Sequence, residues 1–203
     1  MYTIIEDCSP YYIKFKATEH STIVDICRRI IDSSNYNNEF VSQPLVQETI
    51  NELVKHIPLF SKLSLKNQRV NLFVSQPGIY RPPHKDGADM KFGVNYMIEV
   101  SDDKCFTNWY DNELENRADY FEGSDYNGIQ TRHLRELRNY KYKEVEPVKS
   151  MTAVSGECVL FNVGLFHDWD NTQSVNRRIV LTLRPPLYSK ISFEQAKQLL
   201  FSL

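Results

Sequence analysis

Two histidines and an aspartate in this 203-residue sequence have the types and spacing to grip a metal ion: His84 and Asp86 in PPHKDG, and His167 in GLFHDWDN. Positions i and i+2 of an extended strand point the same way, so His84 and Asp86 offer an imidazole and a carboxylate to one ion. His167, from a remote part of the chain, completes one face of an octahedron. Two nitrogens and one oxygen suit Fe(II) better than the soft thiolate sets that favour zinc, and they leave three adjacent positions open for substrate and oxygen chemistry. The tripeptide alone is weak support. With 5 His and 26 acidic residues in the chain, a His-x-acid pair arises by chance about as often as not, and by itself it reads as a loop histidine beside a solvated carboxylate.

A fourth group changes that weighting. Arg177 and Arg178 follow His167 at the start of the run IVLTL, and Arg178 falls on the polar face of that run. An arginine aimed into a protein interior must find an anion, because an unpaired buried charge is costly. Its planar fork fits a carboxylate in bidentate fashion. Beside an iron site, that is what binding a dicarboxylic cosubstrate requires. Strand alternation sends Arg177 the other way, toward solvent or a surface acid. Asn95 lies on the polar face of its own strand, placed to bond the cosubstrate's carboxylate or orient a ligand, or else to be satisfied by backbone. Trp109 and Tyr110 in TNWYDN are candidates for a pocket wall, though aromatics on a strand are more simply core. His133 reads as part of a solvated helix face, and His20 and His56 have no partner pattern.

Taken together, these residues resemble the Fe(II)- and 2-oxoglutarate-dependent dioxygenases. The stretch PGIYRPPHKDG (77–87) is similar to that family's turn-strand lead-in, and His167 to Leu183 is similar to its distal histidine, arginine and β-strand. The resemblance implies His84, Asp86 and His167 as iron ligands, Arg178 as the clamp on the far carboxylate of 2-oxoglutarate, and a double-stranded β-helix over roughly Val70 to Pro185. It also implies hydroxylation of a C–H bond, with O2 consumed and 2-oxoglutarate converted to succinate and CO2. The run HDWDNTQSVNRRIVL resembles aspartyl/asparaginyl β-hydroxylase relatives, which commonly lack the carboxylate ligand that Asp86 supplies here. Prolyl-hydroxylase-like enzymes share the lead-in, so the subfamily stays open. Two alternatives use the same fold: a cupin-like zinc or manganese isomerase or hydrolase, for which Arg178 has no purpose, and a non-catalytic jelly-roll binding module.

The elements that must position these groups show in the hydrophobic pattern. Residues 1–68 read as helical support. Ser21-Thr22 can cap a helix to about Asp32 with Ile23, Ile26, Cys27 and Ile30 on one face, and a second helix from Gln43 ends at Pro58. Residues 69–186 read as a jelly-roll core of short strands at Val70–Val74, Gly93–Val100, Cys105–Tyr110, Tyr140–Val148, Met151–Val154, Glu157–Val163 and Arg177–Arg184, with turns at Pro77-Gly78 and Gly156. Within Arg178–Arg184 the odd positions are aliphatic, and the even ones include Arg, Thr and Arg; Val94, Tyr96, Ile98 and Val100 repeat the pattern. One face therefore packs on something apolar, and the other looks into a polar interior. The charged segment 111–138 reads as an insertion, helical near its end, and a candidate lid or substrate-selecting element whose charges suggest a polar substrate. Residues 187–203 end in a short helix. The fold expected is α+β: a jelly roll with supporting N-terminal helices, in a single domain.

Composition closes off other classes. With 24 Lys+Arg against 26 Asp+Glu and a net charge of -2, there is no basic excess for binding a nucleic-acid backbone. No stretch reaches the 18 or so apolar residues of a membrane span, and MYTIIEDCSPYY lacks the pattern of a signal peptide, so a cytoplasmic setting is expected. Cys8, Cys27, Cys105 and Cys158 show no CxxC spacing and are expected to be reduced thiols, most of them buried. The partners expected are a small-molecule or peptide substrate and O2.

Overall fold

A computed structural model of the chain describes residues 2–32, 40–63, 70–86, 90–100, 104–111, 119–124, 130–136, 145–185 and 189–202, with backbone alone for 40–44, 119–124 and 130–136. In chain order the elements are β1 (Tyr2–Cys8), β2 (Tyr12–Ala17), α1 (His20–Asp32), β3 (Phe40–Pro44), α2 (Gln47–His56), α3 (Leu59–Lys62), β4 (Val70–Ser75), β5 (Tyr80–Lys85), β6 (Gly93–Glu99), β7 (Phe106–Trp109), β8 (Asp119–Ser124), β9 (Gln130–Glu136), β10 (Lys149–Thr152), β11 (Cys158–Phe161), β12 (His167–Asp170), β13 (Arg178–Leu183) and α4 (Phe193–Phe201).

The strands form a seven-stranded sheet, β1-β2-β11-β6-β13-β4-β3, and a six-stranded sheet, β10-β7-β12-β5-β9-β8, antiparallel throughout. From β4 to β7, and again from β10 to β13, each strand lies in the opposite sheet from the one before it. Eight strands wound in this way are a double-stranded β-helix, or jelly roll, as expected. Gly78 and Gly156, both at positive φ, make the turns before β5 and β11.

Period-two alternation builds two cores. On the outer face of the larger sheet, Ile13, Phe15, Val94, Tyr96, Leu160, Ile179, Leu181 and Leu183 pack against Ile23, Ile26, Cys27 and Leu53 of the helices. Between the sheets lie Tyr12, Met97, Val159, Phe161 and Val180 with Trp109 from the smaller sheet. The Trp109 ring stacks on Tyr12 at 5.2 Å, and its Nε1–H donates to the Asn162 carbonyl. Trp109 is thus core rather than pocket wall.

Three expectations need correction. Residues 1–68 hold β1, β2 and β3 as well as helices, because Ile13, Phe15 and Ala17 alternate with Tyr12, Lys14 and Lys16 and extend the larger sheet from β11. The end of the 111–138 insertion is a strand, not a helix: β8 and β9 pair as a hairpin, and β9 joins β5 at His84↔Glu136 and Lys85↔Arg135. Backbone pairing to the free edge of β5 overrides the helical look of TRHLRELR. Of the strand expected at Tyr140–Val148, the first part lies outside the described residues, and the strand that follows begins at Lys149. The four cysteines are free thiols, three of them buried. No helix among the described residues is long and apolar enough to cross a membrane.

Candidate metal centre and cosubstrate pocket

The three expected ligands come together. His84 closes β5, Asp86 follows it, and His167 opens β12, the neighbour of β5 in the smaller sheet. Their register pairs His84 directly with His167, so the imidazoles stand side by side with ring centroids 4.6 Å apart. The Asp86 main-chain N–H, anchored on the Val163 carbonyl at 3.2 Å, turns its carboxylate back onto both rings. His84 Nε2 lies 3.7 Å from Asp86 Oδ1, and His167 Nε2 lies 4.0 Å from Asp86 Oδ2. All three side chains are buried, and one donor atom from each lies within 4.8 Å of the others.

Main-chain carbonyls decide which nitrogen each ring offers. His84 Nδ1 is 2.8 Å from the Pro82 carbonyl, and His167 Nδ1 is 2.9 Å from that of Leu165. A carbonyl only accepts, so both Nδ1 atoms carry the proton, and both Nε2 lone pairs face Asp86. Burial, then the neighbouring His167, push the His84 imidazole down to about 3. Burial also lowers His167, against the opposing pull of Asp86. For Asp86 burial alone would raise the carboxyl, but Arg184 and the two imidazoles outweigh it and hold it below the usual range. Two neutral imidazoles and a carboxylate are the protonation states a divalent cation needs.

Arg178 opens β13 with its side chain buried between the sheets, where Nη2–H donates to Thr107 Oγ1 of β7 at 3.3 Å. That is its one hydrogen bond, and among the described residues no carboxylate comes within ion-pair distance. Burial lowers its basicity, with only partial compensation from Cys105 and Asp168. Thr107 pairs with Trp169, two residues along β12 from His167. Arg178 therefore meets Thr107 one strand repeat, about 7 Å, from the metal ligands, the reach of a five-carbon dicarboxylate. Arg177 turns outward as alternation requires and grips Glu99, Nε to Oε1 at 2.6 Å and Nη2 to Oε2 at 3.1 Å. Asn95 lies inside, where its Oδ1 accepts from Thr182 Oγ1 at 2.8 Å, and among the described residues its amide nitrogen has no protein partner.

Two residues of the site carry no role in the sequence reading. Arg184, on the same even face of β13 as Arg178, brings Nη2 to 2.8 Å from Asp86 Oδ2. Asp168 points away from its neighbour His167 and accepts from Tyr80 and Tyr110 hydroxyls and from the Asn108 main chain and side chain. Burial still pushes its carboxyl up to about 6. Alternation along β13 already signalled an inward Arg184, whereas nothing in the spacing of HDWD indicated the Tyr80–Asp168–Tyr110 cluster. Of the remaining histidines, His20 is buried against Tyr96, and the side chain of His133 lies outside the described residues.

No protein-family model matches the sequence, and no curated protein matches it in sequence. Solved structures match the fold. The non-heme alpha ketoglutarate dependent epimerase SnoN from nogalamycin biosynthesis superposes with a TM-score of 0.51 at 11% identity, over 87% of this chain and 81% of its own. HygX from Streptomyces hygroscopicus, with nickel, 2-oxoglutarate and hygromycin B bound, gives 0.50 at 10% identity over 86% and 82%. EvdMO1 gives 0.51 at 14% identity over 87% of this chain but only 47% of its own. At such identities the likeness establishes the double-stranded β-helix and goes no finer.

Proposed function

We propose that this chain is a non-haem Fe(II)- and 2-oxoglutarate-dependent oxygenase that hydroxylates a small-molecule or peptide substrate. The observation that carries this reading is one enclosed interior shared by a His84–Asp86–His167 donor set and a buried, carboxylate-free Arg178. Solved neighbours of the same fold include an alpha ketoglutarate dependent epimerase and a protein crystallised with nickel and 2-oxoglutarate. An orphaned buried oxygen, Asp86 Oδ2, and a buried cation without its anion are what a site built for an ion and a diacid leaves unsatisfied.

Iron and 2-oxoglutarate, when bound, would supply the oxidation: the keto acid loses CO2 to become succinate as O2 is reduced, and a substrate C–H bond is hydroxylated. The protein's part is placement. His84 and His167 would hold the ion through Nε2, with ring orientation fixed by the Pro82 and Leu165 carbonyls, and Asp86 would supply the third ligand. Arg178 would take the far carboxylate of the cosubstrate, with the Thr107 hydroxyl beside it, and the Asn95 amide is placed to bond the same cosubstrate or the substrate. Met97, Trp109, Val159, Phe161 and Val180 keep the neighbouring interior dry. The β8–β9 hairpin, paired onto the strand that carries His84, is the candidate lid and substrate-selecting element.

Anaerobic titration of the Fe(II)-loaded protein with 2-oxoglutarate tests this directly. A visible metal-to-ligand absorption band, followed by O2-dependent succinate release, is the expected result. Absence of both would overturn the oxygenase reading. Metal-dependent isomerisation or hydrolysis without 2-oxoglutarate would favour the cupin-like alternative, in which Arg178 has no ligand to serve.

A further inference from the structure

The buried pair of Arg184 and Asp86 has a consequence for how the metal is held. Arg184 follows β13 on the face that also bears Arg178 and Thr182, and its guanidinium stands 5.8 Å over the Phe73 ring. Its Nη2 is 2.8 Å from Asp86 Oδ2. The contact is ionic rather than an aligned hydrogen bond, since Asp86 Oδ2 and Arg184 Nε are both buried without a hydrogen-bond partner. The other oxygen, Oδ1, is the one nearer His84 Nε2, at 3.7 Å.

A carboxylate can give a cation one oxygen or two. With a guanidinium lodged against Oδ2 and braced on Phe73, only Oδ1 is free to ligate. We infer that Arg184 is a positioning residue: it makes Asp86 a one-oxygen ligand and so preserves the open coordination positions for the cosubstrate and O2. This rests on the metal centre proposed above. The competing role has the opposite sign: Arg184 would be a cation standing in the ion's place, to be expelled on metal binding, and its removal would tighten binding.

Co(II) titration without cosubstrate separates the two. Positioning predicts that Arg184→Met weakens Co(II) binding about 10–100-fold and alters the cobalt d–d absorption as Asp86 becomes free to chelate. Arg184→Lys, which keeps a cation against Asp86, should restore both affinity and spectrum toward the parent. Arg184→Gln carries the same expectation as Met should the Met variant not fold. Binding as tight as or tighter than the parent's in the Met or Gln variant overturns the inference. His84→Ala, run in parallel, tells the two claims apart. Lost binding there with undiminished binding in the Arg184 variants removes only the positioning role, whereas undiminished binding in all of them removes the metal centre and that role with it.

Discussion

A histidine whose Nδ1–H is taken by a main-chain carbonyl has one nitrogen left, and in His84 and His167 that nitrogen faces Asp86. Because burial holds both imidazoles below the usual histidine range, His84 at about 3, protons do not compete with a metal until well under pH 6.5. The apparent Kd for Mn(II) should therefore stay flat between pH 7 and 5; weakening of about tenfold or more over that interval would mean ordinary imidazoles. The second residue-scale prediction concerns Arg178. Removing one partner of a fully desolvated charge pair costs ~2–5 kcal/mol, so Arg178→Ala should raise the Kd for 2-oxoglutarate in the Mn(II) protein by about 30-fold or more, with Mn(II) affinity unchanged. Undiminished cosubstrate affinity would refute the clamp. These four residues were legible because strand spacing and side-chain chemistry alone place them. Asp168 was not: its partners Tyr80, Asn108 and Tyr110 come from two other strands and their ends, a convergence only the register creates.

Elements with a clean apolar period were legible, and those without one were not. The alternation of β6 and β13 and the 3–4 spacing of α1 survive in the structure, with Ile31 buried where Ile30 was expected. β2 carries the same period-two signal in Ile13, Phe15 and Ala17, overshadowed by the helices after it. The β8–β9 hairpin has charged residues in both phases, so its pairing onto β5 leaves no periodic trace. One glycine shows how an element shapes the site. In the β6–β11 register Gly93 faces Phe161, and a Cβ there would come within 2.7 Å of the Phe161 ring. That ring is buried and lies edge-on to His167 at 6.1 Å between centroids, so it has no free space to retreat into. Gly93→Ala should destabilise the chain by about 1–3 kcal/mol and weaken metal binding by disturbing His167. Denaturant unfolding and Mn(II) titration check the two parts, and an unchanged midpoint would show that the ring yields freely.

At the scale of the molecule, the ligands and the arginines come from different sheets: the smaller sheet and the residue after β5 carry the triad, and β13 of the larger sheet leads Arg178 and Arg184 to meet it. Interfaces of this kind make stability depend on pH in ways that oppose one another. His84 and His167 refuse protons when folded and accept them near pH 6.5 when unfolded, so their contribution is present above that pH and is lost as pH falls toward their depressed folded values. Asp168 runs the other way. Its carboxyl sits near 6 when folded, against a model value of 3.8, so its contribution is fully present below that model value and is lost as pH rises through about 6. Between pH 4 and 6 the folded metal-free protein therefore holds a proton at Asp168 that the unfolded chain releases, which partly offsets the protons the histidines take up on unfolding. Asp168→Asn deletes that offset while keeping an acceptor for the Tyr80 and Tyr110 hydroxyls. Proton uptake on unfolding at pH 5 should then rise by close to one proton, seen as a steeper loss of stability on acidification in urea titrations of the metal-free variant. Above pH 7, where Asp168 is ionised in both states, the slopes of parent and variant should coincide. Parallel profiles from pH 7 down to 4 would mean that the Asp168 carboxyl titrates as it does in the unfolded chain, and that the tyrosine cluster does not hold it in a desolvated site.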